Sequence, residues 1–337
     1  MKDAVVTMAV ATIIAGIGTG LVLRYARRRL LDVVTERSSH AVPTPRGGGL
    51  GLVTGILAAW VLTVSWSQHW TWATGAIVIG IIALASVGWW DDHVGLRART
   101  RLPVQIAVAV ITVWAMGLPE VWTIGPWHCA LPLWAALPIA WIGMVWLINL
   151  TNFMDGIDGL AGSQGLIAGV SVFILIGAES TWGLLGLATA GASLGFLAWN
   201  FPPAKIFMGD VGSTALGFIF AVLILALLNQ GVALEVALLP IAPFMLDSTC
   251  TLIRRVWRRE KVSQAHRSHL YQRLARYWGG HRSVTLLYSA LAVMGGAGAY
   301  MVVHGWVPSW LPVLGEVFVF VLLTMYARQV APVTRAT

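Results

Sequence analysis

The stretch LPLWAALPIAWIGMVWLINLTNFMDGIDGLAG, residues 131–162, carries no charge until Asp155, and Asp158 then follows three residues later. Its first part, residues 131–149, is apolar and long enough to cross a bilayer as a helix. A second apolar run of similar length begins at residue 159. The stretch therefore predicts two membrane-spanning helices joined by a short acidic connection.

The composition of the whole chain extends this prediction to the full length. Of the 337 residues, 58% are hydrophobic and 11% are charged, and the mean hydropathy is +0.77. A soluble domain needs a polar surface that this composition cannot supply. We predict an all-α polytopic membrane protein that forms one integral-membrane domain over residues 1–337. About eleven transmembrane helices are expected, at residues 4–23, 48–66, 72–90, 103–118, 131–149, 159–177, 181–199, 213–229, 232–252, 284–304 and 308–327.

The basic residues predict the orientation of these helices. With the N-terminus outside and eleven alternating helices, 21 of the 22 Lys and Arg residues fall on the inner side, and only Lys2 lies outside. Basic loops mark the cytoplasmic side of membrane proteins. The sequence thus predicts the N-terminus out and the C-terminus in. The excess of basic residues on the inner side, which also attracts anionic membrane lipids, accounts for the net charge of +8. No nucleic-acid partner is therefore expected.

The predicted orientation places three acidic motifs at inner helix ends. Carboxylates gathered there are costly to hold unless a cation neutralises them. Hard oxygen ligands suit Mg²⁺ or Mn²⁺, and Mg²⁺ is usually held by one or two carboxylates together with substrate phosphates. These residues therefore predict a diphosphate substrate and phosphoryl transfer at the cytoplasmic face. The motifs are GWWDDHVGLRARTRLP (residues 88–103), NLTNFMDGIDGLAG (149–162) and NFPPAKIFMGDVGS (200–213).

Each acid taken alone also has a structural explanation. Asp91 and Asp92 could simply be solvated at a helix end, although the helix dipole disfavours acids at a C-terminus. Asp210 and one acid of the second motif could cap helix N-termini. Asp247 lies within a predicted helix, and the sequence leaves open whether it is catalytic or is paired with a Lys or Arg.

Two basic inner loops could supply groups that bind phosphate. The first, ERSSHAVPTPRGGGLG (residues 36–51), has a glycine run whose N–H groups suit an anion, although a flexible helix start is the favoured explanation. The last contains HRSH (residues 266–269), in which Arg and His side chains could clamp phosphates.

Four motifs in this order, DDHVGLRARTRLP, NLTNFMDGIDGLAG, NFPPAKIFMGD and HRSH, resemble the polyprenyl-phosphate N-acetylhexosamine-1-phosphate transferases of the MraY/WecA superfamily. The resemblance covers about residues 30 to 275. It implies a multi-pass enzyme of the EC 2.7.8 class in the bacterial inner (cytoplasmic) membrane. Such an enzyme transfers an N-acetylhexosamine 1-phosphate from a UDP-N-acetylhexosamine, for instance UDP-GlcNAc, to undecaprenyl phosphate. It releases UMP and requires Mg²⁺, with Mn²⁺ as the alternative ion. Whether the enzyme is a homodimer is left open.

The resemblance also implies roles for individual residues. Asp91 and Asp92 are expected to be catalytic, and Asp210, Asn152 and Asp155 to bind the metal ion. Direct attack by the lipid phosphate is the favoured reaction, with an aspartyl phosphoenzyme as the alternative. Substrate binding is expected of Asp158, Asn200, Lys205, His266, Arg267, His269, His40, Thr44 and Arg46.

Three departures separate the chain from the MraY branch. His93 follows Asp92 where that branch has a third aspartate, HRSH replaces its three histidines, and NLTN replaces NLTD. They favour the WecA/WbpL-like branch, which initiates O-antigen or other surface polysaccharides. An MraY-type peptidoglycan lipid I synthase is the alternative within the family. A transporter or proton-coupled carrier is the alternative outside it, because intramembrane acids often mark ion paths.

Overall fold

The computed structural model describes residues 2–32, 43–260 and 267–331. Two small antiparallel ribbons accompany the helices, β1 (Leu31–Asp32) with β2 (Thr44–Pro45) and β3 (Trp122–Ile124) with β4 (Trp127–Cys129). The helices are α1 (Lys2–Arg29), α2 (Gly49–Trp66), α3 (Trp72–Val94), α4 (Ala98–Met116), α5 (Leu133–Met154), α6 (Leu160–Ile176), α7 (Thr181–Asn200), α8 (Asp210–Asn229), α9 (Leu234–Leu238), a 3-10 helix (Leu239–Ile241), α10 (Ala242–Trp257), α11 (Leu270–Tyr277), α12 (Arg282–Val303) and α13 (Trp310–Val330).

The structure confirms an all-α polytopic membrane protein. Within the described ranges, nine helical segments are long and apolar enough to cross a membrane, and α9 to α10 count as one of them. Each of the eleven predicted segments coincides with a helix, but two fall outside these nine. They are α4, which has Arg99 and Arg101 in its first turn, and α6, which has only 17 residues. By length and composition, nine of the eleven predicted spans are candidate membrane spans, and the crossings by α4 and α6 stay predictions.

Helix α8 forms the centre of the bundle. Its residues from Val211 to Leu228 are all buried, and it packs against α2, α3 and α5. A helix that is apolar on every side suits a position enclosed by other helices within the membrane. The first residue of α8, Asp210, is thereby placed at the middle of one end of the bundle.

The ninth predicted span, residues 232–252, is broken rather than continuous. The 3-10 helix Leu239–Ile241 separates α9 from α10. Pro240 and Pro243 lack the backbone N–H that a continuous helix needs. The side chain of Gln164 in α6 donates to the Pro240 carbonyl at 2.6 Å and so satisfies one group at the break. Beyond the break, α10 carries Asp247.

Candidate active site

The ends of α3, α5 and α8 bring three motifs together. Asp91 and Asp92 lie in the last turn of α3, Asn152 lies in the last turn of α5, and Asp210 begins α8. These residues are far apart along the chain, so their meeting depends on how the three helices pack. The structure thus gathers four of the residues to which the sequence assigns catalysis and metal binding.

Asp92 caps the N-terminus of α8. Its two carboxylate oxygens accept the backbone N–H groups of Asp210 at 3.0 Å and of Val211 at 3.2 Å. The first N–H groups of a helix have no partner within the helix, and negative charge is stabilised beside them. Gly209 permits this contact, because it has a φ of +75° and an added Cβ would lie 2.5 Å from Asp92 Oδ2. Gly88 also permits it, because a Cβ there would lie 2.4 Å from the Asp210 carbonyl oxygen.

Asp91 and Asp210 both contact the guanidinium group of Arg101. The Nη1 atom of Arg101, in the first turn of α4, contacts a carboxylate oxygen of both residues. The backbone N–H of Leu96 donates to the other oxygen of Asp91. Arg101 was not among the residues predicted from the sequence. It could have been found as a base that lies within the first acidic motif, ten residues after Asp91.

Asn152 is oriented by α8. Its Nδ2 donates to Asp210 Oδ1 at 2.9 Å and to Ser213 Oγ at 2.9 Å. Ser213 also was not among the residues predicted from the sequence. It lies one turn after Asp210 on the same face of α8, which is the pattern that could have indicated it.

Asp155 follows the C-terminus of α5 and belongs to the same acidic cluster. Burial raises the pKa of its carboxyl group well above the usual range, and the charges of Asp210, Asp92 and Asp158 raise that pKa further. The backbone N–H of Asp155 donates to the Asn152 carbonyl at 3.3 Å. A carboxyl group in this position ionises readily only when a cation joins the cluster.

The donor chemistry of this cluster fits a hard divalent cation. The side chains that converge there offer carboxylate and amide oxygens, the ligands that Mg²⁺ and Mn²⁺ prefer. Within the part of the chain that the structure describes, no three His, Cys, Asp or Glu side chains form a metal cage by themselves. An ion held partly by substrate phosphates needs only one or two protein carboxylates.

Asp158 lies to one side of this cluster and joins three segments. Its Oδ2 accepts the backbone N–H of Ala204 at 2.9 Å, and its Oδ1 lies 3.0 Å from His281 Nδ1. Its carbonyl accepts the Thr285 hydroxyl at 2.7 Å. Asp158 thus connects the turn before α6, the loop before α8 and the start of α12. His281 gave no motif signal, since it stands alone among glycines and basic residues.

Asn200 is the last residue of α7, and Lys205 lies in the connection between α7 and α8. The Asn200 amide accepts the N–H of Gly159 at 2.9 Å and donates to the Ile206 carbonyl at 2.9 Å. The Lys205 ammonium lies 5.4 Å from the centre of the Trp199 ring. Asn200 therefore holds two loops together, and its expected contact with substrate stays a prediction.

The first basic loop reaches the acidic cluster through Arg46. Its Nη2 donates to the backbone carbonyl of Asp92, and the neighbouring Thr44 belongs to the ribbon of β1 and β2. The N–H groups of Gly48 and Gly49 donate to the carbonyls of residues 207 and 208, at 2.9 and 2.8 Å. Two of the three glycine amides therefore hold the loop before α8, which contradicts their use as an anion site. His40 lies outside the described residues.

The late basic loop is anchored in the interior. His269 precedes α11 and is buried, and its Nδ1 lies 3.4 Å from Asp247 Oδ1. Arg267 accepts a hydrogen bond at its carbonyl from the side chain of Arg276 at 2.8 Å. His266 lies outside the described residues. Asp247, whose role the sequence left open, is paired with His269 and with backbone N–H groups rather than with a Lys or Arg.

Comparison with known proteins agrees with this arrangement. The profile of glycosyl transferase family 4 matches residues 74–228, which run from the first turn of α3 to the last turn of α8 and include all three acidic motifs. A Bacillus subtilis protein named as a probable undecaprenyl-phosphate N-acetylglucosaminyl 1-phosphate transferase is 30% identical over 90% of this chain and 84% of its own length. A Mycobacterium leprae decaprenyl-phosphate N-acetylglucosaminephosphotransferase is 31% identical over 82% of this chain and 78% of its own length.

A third relative represents the other branch. A phospho-N-acetylmuramoyl-pentapeptide-transferase of Thermosynechococcus vestitus is 33% identical, but over 65% of this chain and 59% of its own length. The N-acetylglucosamine enzymes are thus matched along more of the chain. The resemblance drawn from the four motifs is confirmed, and the chain belongs to glycosyl transferase family 4, the polyprenyl-phosphate N-acetylhexosamine-1-phosphate transferases.

Proposed function

We propose that this protein transfers N-acetylglucosamine 1-phosphate from UDP-GlcNAc to a polyprenyl phosphate and releases UMP. The observation that carries the proposal is the meeting of Asp91, Asp210 and Asn152 at the end of the central helix, where Arg101 contacts both carboxylates and the Asn152 amide contacts Asp210. The relatives matched along most of the chain are named for this transfer, with undecaprenyl or decaprenyl phosphate as acceptor. The product would begin a lipid-linked glycan, and O-antigen or another surface polysaccharide is the pathway that the WecA/WbpL-like motifs favour.

The proposed site lies at the cytoplasmic face of the inner membrane. This placement rests on the 21 of 22 Lys and Arg residues that an N-out, C-in arrangement puts inside. UDP-sugars and the acidic cluster would then meet on the same side. The acids lie at the ends of α3, α5 and α8, whereas transporters usually bind substrate near the middle of the membrane. No observation therefore favours the carrier alternative.

The two adjacent aspartates take different roles in the proposed mechanism. Asp92 is a positioning residue, since both its oxygens accept N–H groups of α8 and so fix Asp210. Asp91 is held by Arg101, a side chain that can exchange its partner for a substrate phosphate. Asp91 is then available to orient the lipid phosphate or to accept its last proton. Because such a phosphate is largely dianionic near neutral pH, only a small part of the barrier depends on that proton transfer.

The reaction proposed is a single displacement. An oxygen of the lipid phosphate forms a bond to the β-phosphorus of UDP-GlcNAc, and the bond from that phosphorus to UMP breaks. UMP leaves with the electron pair. Arg101, together with Arg46 beside Asp92, neutralises the phosphoryl oxygens. A divalent ion, which Asp210, Asn152 and Asp155 would hold, supplies charge stabilisation of the leaving phosphate when it is bound.

The test is a UMP-release assay on the full chain in nanodiscs. UDP-GlcNAc, UDP-GalNAc, a UDP-6-deoxy-N-acetylhexosamine and UDP-MurNAc-pentapeptide are supplied one at a time, with undecaprenyl phosphate and Mg²⁺. We expect UMP release from UDP-GlcNAc that needs both the lipid and the ion, and that Asp210→Asn abolishes without unfolding the protein. Release from the pentapeptide substrate alone, or from none of the four, would overturn the proposal.

A further inference from the structure

Asp247 forms the centre of a buried cluster that holds α11. The residue is fully buried in α10. Its carboxylate accepts the N–H groups of Leu270 at 2.8 Å and Tyr271 at 2.9 Å, and the hydroxyl of Tyr288 at 2.6 Å. His269 stacks on Tyr271, with ring centroids 5.7 Å apart. An acid of one helix thus caps the N-terminus of another and fixes where the basic segment before α11 ends.

Tyr271 continues this cluster toward the acidic site. It is fully buried, and its hydroxyl donates to the carbonyl of Phe153 at 2.9 Å. Phe153 lies in the last turn of α5, where carbonyl groups have no partner within the helix, two residues before Asp155. The contact is close, because a Cβ added to Gly156 would lie 2.0 Å from the Tyr271 hydroxyl oxygen. Burial raises the pKa of Tyr271 well above its usual range, and the charges of Asp247 and Asp155 raise it further, so the hydroxyl keeps its proton.

The remaining contacts of this region make α11 a fixed element. The Arg273 guanidinium donates to the carbonyls of Ala327 at 2.6 Å and Ala331 at 2.9 Å, at the end of α13. Arg254 in α10 donates to the carbonyl of Ser268 at 2.6 Å. These contacts hold the first turn of α11 and the segment before it, so a displacement of the basic segment would reach Tyr271.

We propose that Tyr271 is a positioning residue. It links the position of Asp155 to the position of the basic segment Arg267–His269. This inference deepens the proposed function, on which it rests. The basic segment runs directly into α11, and the Tyr271 hydroxyl is bonded to the turn that carries Asp155. Binding of phosphate at the basic segment and of a divalent ion at Asp155 are then coupled, and such coupling acts in both directions.

Two matched variants test the connection. Tyr271→Phe removes the bond to Phe153 and keeps the buried ring. Tyr288→Phe removes a buried hydroxyl from the same Asp247 carboxylate but leaves the bond to Phe153 in place. For Tyr271→Phe we expect kcat and the affinity for Mn²⁺ each to fall about tenfold, the effect of one lost hydrogen bond, with the KM for UDP-GlcNAc nearly unchanged. For Tyr288→Phe both quantities should stay within about twofold of wild type.

Hydrogen exchange gives a readout that does not depend on the reaction. Amides of residues 153–158 should exchange faster in Tyr271→Phe than in Tyr288→Phe. Should Tyr271→Phe fail to fold, Gly156→Ala tests the same contact, since its Cβ displaces the hydroxyl. Equal changes in the two tyrosine variants, or none in Tyr271→Phe, would overturn the connection. Absence of UMP release by the wild-type protein would instead overturn the proposed function. Mn²⁺ binding and hydrogen exchange would still test the connection between Tyr271 and the turn that carries Asp155.

Discussion

Replacing Arg101 by Gln should strengthen metal binding while it weakens catalysis. One nitrogen of Arg101 lies between carboxylate oxygens of Asp91 and Asp210, which is a position that a bridging cation would need. Two cations cannot share it, so an ion that binds the Asp210 oxygen in contact with Arg101 must displace the guanidinium. Removing the guanidinium removes that cost and leaves the carboxylates with more net negative charge.

The structure gives the size of the effect. Hydrogen bonds to charged groups contribute about 1.5–3 kcal/mol each, and the ion must displace at least one of the two that Arg101 makes. The Arg101 side chain is 25% exposed, so solvent screening reduces this figure. A net gain of about 1.4 kcal/mol corresponds to Mn²⁺ binding about tenfold more tightly. The loss of a cation that faces the phosphoryl oxygens should lower kcat by about 10²-fold.

The assay measures free Mn²⁺ by electron paramagnetic resonance in the absence of substrate, and then UMP release at saturating Mg²⁺. Arg99→Gln is the matched control, because Arg99 lies in the same first turn of α4 and is exposed. It loses the same charge without touching the acids and should leave both quantities near wild type. Weaker or unchanged Mn²⁺ binding in Arg101→Gln would refute the reasoning.

Two further predictions concern the frame of the site. Gly209→Ala should lower both Tm and UMP release. A φ of +75° strains any other residue by about 1–3 kcal/mol, and the new Cβ meets the Asp92 carboxylate. An unchanged Tm would contradict this prediction. Asp155→Asn should raise the Tm of the metal-free protein. The native state holds the Asp155 proton more tightly than the unfolded state, so wild-type stability falls as pH rises through the raised pKa. The difference in Tm between variant and wild type should therefore grow with pH, and a constant difference would argue against this cause.

The helices were predictable because each follows from a local pattern. An apolar run of sufficient length predicts a spanning helix whatever its neighbours are, and ten of the eleven runs each coincide with a single helix. The break before α10 was missed, although Pro240 and Pro243 signal it, because the run of apolar residues continues through them. Length and apolarity report where a helix can form, whereas a missing N–H reports where its hydrogen bonding stops.

The site was predictable only in part, because its motifs identify residues but not their partners. The three acidic motifs do meet at one end of the bundle. That Arg101 joins Asp91 to Asp210, or that Tyr271 reaches Phe153, depends on side chains brought together by packing between distant segments. No spacing in the sequence encodes such contacts. For the glycine run, the sequence suggested a partner that the structure does not show. Its N–H groups suit an anion, but two of them bind carbonyls of the loop before α8.

The division of work between Asp91 and Asp92 follows from helix geometry. Successive residues of an α-helix point about 100° apart, so the two adjacent aspartates approach Asp210 from different directions. Asp92 faces the N-terminus of α8, where two N–H groups consume both its oxygens. Asp91 faces α4 and a guanidinium, a partner that a phosphate can take over. Asp92 therefore fixes the start of α8, whereas Asp91 remains able to exchange its partner.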